Sequence, residues 1–405
     1  MFNNGLMIAN SGTTPALFTA PTLDDREREI LGEIATLKQS LRFQLHEPRR
    51  WSGALRRMTF ARNIQGSNSI EGFDAELDDA NAVALGEEPL DASTETRLAL
   101  EGYRNAMTYV LQVVQEPHPV ASVDLIKSLH FMMAHYDLKS RPGRWRAGQV
   151  FVQRERTGEI VHEGVDVDRV PDLMAALVDS INEDSINQDS GEEIIRAAMA
   201  HLNLVMIHPF KDGNGRMARC LQSLVLAADG TLAPVFMSIE EHLGRNTQEY
   251  YDVLGKVGGG SWQPERDARP WIRFILTAHL KQAETLQRRV TASGQAWTEL
   301  EVLATSTRVP ERTVSALFEA VFGYRVWRAT YMAALEAADE AISEQTATRD
   351  FKTLVDAGLL EPHGDKRGRY YTAAPPLQDI ARRARQSRRP KDFSDPFAGA
   401  DPSHP

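Results

Sequence analysis

From position 208 to 219 the chain reads His208-Pro209-Phe210-Lys211-Asp212-Gly213-Asn214-Gly215-Arg216-Met217-Ala218-Arg219, and no other stretch limits the fold as strongly. Two glycines flanking Asn214 permit a tight turn with its N–H groups pointing inward. A helix starting at Arg216 adds the positive end of its dipole, so turn and helix together suit a phosphate. Arg216 and Arg219 are three apart and reach the same side, where two guanidinium groups grip successive phosphates. Asp212 supplies a hard carboxylate oxygen at the edge of the turn, where Mg2+ would bridge phosphate oxygens. His208 faces the same cradle, and an imidazole with a pKa near about 6.5 suits a general base. Each feature alone has an ordinary structural reading. Their coincidence within one short segment points to a nucleotide phosphate site.

The rest of the sequence says what surrounds that segment. A chain of 405 residues is too long for one ordinary core, so two or three domains are expected. With 42% hydrophobic and 25% charged residues it reads as a soluble globular protein, which excludes a wholly disordered, collagenous or membrane chain. A net charge of -10 argues against a protein that coats nucleic acid. Cys220 is the only cysteine, which excludes an intrachain disulfide framework and a multi-cysteine zinc site. Met1 to Ala20 lacks a basic start, and its apolar stretch is broken by Asn10, Ser11, Gly12 and Pro15. No apolar run reaches the roughly 18 residues of a membrane span. The expectation is a cytoplasmic protein with no membrane partner.

Helical periodicity dominates. Ile30, Leu31, Ile34, Leu37, Leu41 and Leu45 recur at helix spacing after a loose N-terminal arm of about 25 residues. Trp51–Ile70 continues in helices and closes at Gly72. Further helices are predicted over Thr94–Gln115, Val123–Tyr136, Val170–Asn182, Glu192–Val205, Arg216–Ala228 and Pro270–Val290. Between them, Gln149–Val161 reads as a β-hairpin turning at Thr157-Gly158. Past Ser293 the pattern is helix (Trp297–Phe322), helix (Arg328–Ala341), helix (Ser343–Ala357), then strands around 359–361 and 369–372, the layout of a winged helix-turn-helix. The arginine-rich end, Arg382 to Lys391, reads as a disordered basic tail. Cys220 and Trp145 read as core residues, and His162, His201 and His242 have no partner at metal spacing.

The segment His208–Arg219 resembles the signature of the Fic-domain protein adenylyltransferases, His-x-Phe-x-Asp/Glu-Gly-Asn-Gly-Arg-x-x-Arg, and meets each specified position. The resemblance covers roughly Thr94 to Lys281. It implies a mainly α fold, a Fic-type helical core with a β-hairpin flap, followed by the winged helix-turn-helix domain. The division expected is 1–93 for the arm and an inhibitory helical region, 94–290 for the catalytic core, 291–375 for the winged helix and 376–405 for the tail.

The resemblance also implies a reaction, transfer of AMP from ATP, with Mg2+, to a Ser, Thr or Tyr hydroxyl of a protein, including self-modification. His208 would deprotonate the hydroxyl. Phe210 would anchor the loop, and Asp212 would hold the metal. Gly213, Asn214 and Gly215 would bind the α- and β-phosphates, with Arg216 and Arg219 on the β- and γ-phosphates. The Doc-type relatives that phosphorylate instead depart from the Gly-Asn-Gly centre, which is intact here. Val150, Phe151, Val152 and Gln153 resemble the edge of the family's flap, which would pair with an extended target. Tyr250 and Tyr251 resemble its adenine-pocket aromatics, although Gly258-Gly259-Gly260 departs from that pattern.

Ser67-Asn68-Ser69-Ile70-Glu71-Gly72 matches the family's inhibitory motif. Ser67 and Glu71 would share one helix face, and Glu71 would pair with Arg219, taking donors the γ-phosphate needs. The resemblance thus implies an autoinhibited enzyme. In some relatives the same glutamate positions water and removes AMP, so de-AMPylation at the same site stands beside transfer. A third reading is a DNA- or protein-binding regulator whose Fic site senses nucleotide. Thr346, Thr348, Arg349 and Lys352 would face a groove and Lys366, Arg367 and Arg369 a backbone. The interleaved Glu344, Asp350, Asp356, Glu361 and Asp365 deny the module a basic face. Homodimerisation is common in the family.

Overall fold

The computed structural model describes residues 16–46, 50–116, 121–153, 158, 160–183, 192–227, 234–365, 368–388 and 395–398. Two antiparallel helices form its centre, α7 (Glu192–Ile207) and α8 (Asn214–Ala227), joined by the segment that carries the glycine turn. From Met217 to Ala227 every residue of α8 is buried, polar ones included. A helix with no solvent face belongs at the middle of a bundle.

Around this pair stand α4 (Thr94–Val113), α5 (Val123–Ala134) and α6 (Val170–Glu183). Ser93 and Ser122 cap α4 and α5 by accepting from the N–H groups of Thr96 and Leu125, satisfying donors that the first helical turn leaves free. On the other side run α1 (Asp25–His46), α2 (Ser52–Ser69), α3 (Leu77–Leu85), α9 (Pro234–Met237), α10 (Glu240–Arg245) and α11 (Thr247–Gly258). Helices α2 and α10 touch backbone to backbone. A Cβ at Gly66 would stand 2.5 Å from the Glu240 carbonyl oxygen, and one at Gly244 would stand 2.7 Å from the Gly66 Cα. Only glycine fits at either point.

The hairpin lies two residues further along than expected, from 151 to 163. β1 (Phe151–Gln153) pairs antiparallel with β2 (Ile160–Glu163), with an irregularity between Val152 and Gln153. Val150 precedes the strand. Thr157 of the expected turn lies outside the described residues. Inside β2, His162 donates from Nε2 to the Met206 carbonyl at 2.9 Å, which pins the hairpin to the end of α7.

Three expectations need correction. The helix expected to stop at Val290 is α12 (Arg269–Thr307), 39 residues long, so the boundary at 290/291 falls inside a helix. Ser293, past which the pattern was expected to change, is fully buried inside this helix, and Gly294 faces Trp51. The N-terminal arm is anchored, at least from residue 16. Phe18 is buried, and its backbone exchanges two hydrogen bonds with the Asn203 side chain. The tail is not wholly disordered, since α16 (Pro375–Ser387) packs against α12 and α13 (Val314–Val321). Leu377, Ile380 and Ala384 form its buried stripe, and the arginines occupy the other faces.

Beyond α12 stand α13, α14 (Arg328–Glu336) and α15 (Glu344–Asp356) with a small antiparallel sheet of order β3 (Val326–Trp327), β5 (Tyr370–Ala373), β4 (Leu360–His363). Helix α12 bonds α1 through Glu27, which is fully buried between Arg269 and Arg273 at 2.7 and 2.9 Å. Among the described residues no helix is long and apolar enough to cross a membrane. The fold is mainly α with one small hairpin beside the α7–α8 turn.

Candidate active site

The segment between α7 and α8 is held from several directions. His208 has φ +54°, a left-handed conformation that a non-glycine residue rarely adopts. Its carbonyl is fixed by Arg146, whose Nε donates to it at 2.8 Å, and the Arg146 N–H bonds the Pro209 carbonyl at 3.0 Å. Arg146 is buried and also donates to the Gly148 and Val165 carbonyls. One guanidinium thus clamps the turn, the approach to the hairpin and the His208 backbone.

Within the loop, Asn214 accepts from the Phe210 N–H at 2.8 Å and donates to the Phe210 carbonyl at 2.9 Å. Its side chain is therefore tied into the loop, and its backbone N–H is left at the start of the helix for a ligand. Helix α8 begins two residues earlier than expected. Its first in-register bond runs from Met217 N to Gly213 O at 2.9 Å, so the N–H groups of Asn214, Gly215 and Arg216 precede the ladder. Gly213 supplies the positive φ, +75°.

His208 donates from Nδ1 to the Val205 carbonyl at 3.2 Å. That bond fixes the tautomer with Nε2 unprotonated. Burial, helped by the nearby His162 and Arg146, lowers its pKa to about 4 against the pull of the Val205 carbonyl and Glu71. The imidazole is neutral at neutral pH and ready to accept a proton.

Arg216 and Arg219 are both buried, although an arginine at a helix start is ordinarily solvated. Arg216 donates to the Tyr136 hydroxyl at 3.0 Å and to Asp212 Oδ2 at 3.4 Å, and lies over the Phe73 ring at 5.0 Å. Arg219 donates from Nε to Ser67 Oγ and from Nη2 to the Ser67 carbonyl, both at 2.8 Å, and from Nη2 to Glu71 Oε1 at 2.7 Å. Burial is the largest single effect and opposes its charge, but Glu71 together with Tyr250 and Tyr103 outweighs it and raises its pKa. Arg216 Nε and Arg219 Nη1 have no hydrogen-bond partner among the described residues. Helix α2 ends at Ser69, so Glu71 reaches Arg219 from the turn beyond it rather than from the helix face. A Cβ at Gly215 would stand 2.2 Å from Glu71 Oε1, so the carboxylate rests directly on the glycine.

The two tyrosines divide. Tyr250 is buried, and its hydroxyl bonds His201 Nε2 at 2.9 Å. Tyr251 is half exposed and donates to the Ile70 carbonyl at 2.9 Å, beside Glu71. Asp212 remains largely open to solvent. Among the described residues no group of three or more His, Cys, Asp or Glu forms a metal cage. A lone carboxylate suits Mg2+ that keeps most of its waters and takes its other ligands from phosphate.

Sequence reasoning missed Arg146, His130, Tyr136 and Phe73, whose partners lie far along the chain. His130 stacks on Phe210 (3.7 Å between centroids, 3° apart) and donates from Nε2 to the Asp212 carbonyl at 2.9 Å.

The buried basic turn, His208 and the hairpin lie side by side at the start of α8. Residues 121–226 match the model of the Fic/DOC family, and the chain carries a Fic domain. Over 262 residues it is 28% identical to protein adenylyltransferase fic-1 of Caenorhabditis elegans, covering 64% of this chain and 46% of that one. Over 231 residues it is 27% identical to protein adenylyltransferase Fic of Nematostella vectensis, covering 53% and 46%. The chain thus spans about half the length of the curated relatives it matches. The crystal structure of a Fic family protein from Desulfovibrio desulfuricans G20 superposes with a TM-score of 0.56 at 22% identity, covering 88% of this chain and 99% of that one. That likeness is one of fold.

Proposed function

We propose that this protein transfers AMP from ATP to a Ser, Thr or Tyr hydroxyl of a protein and is restrained by Glu71. The observation that carries this reading is the state of His208: neutral, with Nδ1–H held by Val205 and Nε2 free to take a proton. The target O–H gives its proton to Nε2. Its oxygen forms a bond to the α-phosphorus, the α–β phosphoanhydride bond breaks, and pyrophosphate leaves with the electron pair. The N–H groups at the start of α8 and the guanidinium groups of Arg216 and Arg219 hold the phosphates and offset the charge that develops. Asp212 would hold Mg2+, which neutralises charge on the phosphate oxygens when bound.

Glu71 restrains the reaction because its carboxylate already takes Arg219 Nη2 at 2.7 Å. A γ-phosphate competing for that donor would sit in a displaced position. One angstrom of misplacement at a reacting centre costs about a hundredfold in rate.

For the region after α12 we propose a winged helix serving protein contact rather than DNA. Its cations are largely neutralised: Arg328 by Glu344 at 3.4 Å, Lys352 by Asp356 at 3.1 Å, Arg369 by Asp365 at 3.7 Å. Lys366 and Arg367 lie outside the described residues.

Intact mass after incubation with ATP and Mg2+ tests the main reading. Glu71→Gly is expected to gain AMP, wild type far less, and Glu71→Gly with His208→Ala none. Equal gain by wild type and Glu71→Gly would remove the restraint. No gain by any variant, on itself or on a panel of protein acceptors, would remove the transfer reaction.

A further inference from the structure

Beside the α7–α8 turn, residues 138–144 build a surface that the nucleotide chemistry does not use. It is joined to the loop at three points. Lys211 donates from Nζ to the Lys139 carbonyl at 2.9 Å. His130 bridges the two segments, accepting from the Gly143 N–H at Nδ1 and donating to the Asp212 carbonyl, both at 2.9 Å. Tyr136 meets Arg216.

Two features of this surface are unusual. It exposes large apolar groups, with Phe131 51% and Leu138 74% accessible. Phe131 lies against the Gly143 turn, where a Cβ would stand 3.2 Å from its own Cβ. The surface is also cationic in a protein of net charge -10. Lys139, Arg141, Arg144 and Lys211 are exposed, and none has a carboxylate within ion-pair distance among the described residues. The carboxylate of the same loop, Asp137, accepts from the Lys139 N–H at 3.0 Å and the Ser140 hydroxyl at 2.5 Å and lies close enough to feel the charges of Lys139 and Lys211, so one negative charge offsets part of the four positive ones.

We propose that this surface docks an acidic segment of the protein substrate, with apolar side chains set between its carboxylates and the acceptor hydroxyl nearby. The proposal rests on the reading of the site as an AMP transferase. Charge complementarity selects the partner. A nucleotide has its phosphate ligands in Arg216, Arg219 and the start of α8, and it gains nothing from exposed Phe131 and Leu138. Apolar patches ringed by one sign of charge mark protein contact.

The test needs no turnover. Two fluorescent peptides are compared by anisotropy on the full chain, one alternating Leu and Glu around a serine, the other with Lys for each Glu. The acidic peptide is expected to bind roughly tenfold more tightly, and to weaken as salt rises. The pair Lys139→Glu and Arg144→Glu should erase the preference, Phe131→Ser should weaken the acidic peptide, and saturating Mg-ATP should not displace it. Equal binding of the two peptides overturns the proposal. So does displacement by Mg-ATP together with weaker ATP binding in the double variant, which would make the surface a nucleotide attractor. Tighter binding of a thymidine oligonucleotide than of the acidic peptide overturns it too. Peptide binding without AMP transfer in any variant would defeat the reading of the site and leave the surface assigned. Both charge reversals are at exposed, unpaired positions, and an unchanged melting temperature verifies the fold.

Discussion

His130 lies flat on Phe210, ring over ring at 3.7 Å, and ties a turn of the N-terminal half to the carbonyl of Asp212. Because the Gly143 N–H donates to Nδ1, Nε2 must carry the proton it gives to Asp212. Burial, with a smaller contribution from Arg216, holds the ring neutral with a pKa lowered to about 4. His130→Phe keeps the stack and removes both hydrogen bonds. Two backbone groups then lose their partners, at about 1–3 kcal/mol each. Urea unfolding is expected to show a lower midpoint with an unchanged slope, and His130→Gln, which has a donor and an acceptor, should recover part of the loss.

Acid should destabilise the protein well above the carboxylate range. His130, His208 and His242 are lowered to about 4 and His201 to about 3, each chiefly by burial. A histidine kept neutral in the fold binds fewer protons than in the unfolded chain. Its stabilising effect is complete above the unfolded pKa and is lost as pH falls through the folded one. Melting temperature should therefore fall steadily from pH 6.5 to pH 4. A flat profile over that window would contradict the burial of these rings.

Glu240 runs the other way. It is buried, and burial raises its pKa to about 7 despite the hydroxyl of Tyr103 at 2.5 Å and the charge of Arg219. An acid whose folded pKa is raised gives most stability at low pH, and loses it between the unfolded value and about 7. Glu240→Gln mimics the protonated form. Its stability relative to wild type is expected to improve from pH 5 to pH 8 by about 3 kcal/mol, read by denaturant unfolding at each pH. Parallel profiles would place a fixed charge at Glu240.

Gly66→Ala tests the contact of α2 with α10. The new Cβ would meet main-chain atoms of Glu240 and Glu241 at 2.5–2.9 Å, which no rotamer change relieves. A loss of about 1–3 kcal/mol or more is expected in thermal unfolding. The same substitution at Gly215 meets the end of the Glu71 side chain instead. That group moves only by giving up its 2.7 Å pair with buried Arg219, so any loss arises from that pair and not from main-chain overlap.

What the sequence made legible was local. The turn 208–219 and the spacing of Ser67 and Glu71 are short-range patterns, and their chemistry could be reasoned residue by residue. Helix α16 escaped because its arginines hide a stripe of only Leu377, Ile380 and Ala384. The unbroken α12 escaped because Ser293-Gly294 carries no mark of its burial. Arg146 and Tyr136 act on partners 62 and 80 positions away, and periodicity holds no information about such pairs.

Helix α12 is about 58 Å long at the usual rise per residue. Its first half packs on α1 and α7, its second on α13 and α16. A rod without a hinge leaves its two ends no independent equilibrium. Melting the first half strips α1 and α7 of a partner and melting the second strips α13 and α16, so the elements on each half should be lost together with the helix that joins them. A ligand held at the start of α8 would then protect the distant three-stranded sheet as well, and deuterium uptake in β4 and β5 would report the occupancy of a pocket they never touch.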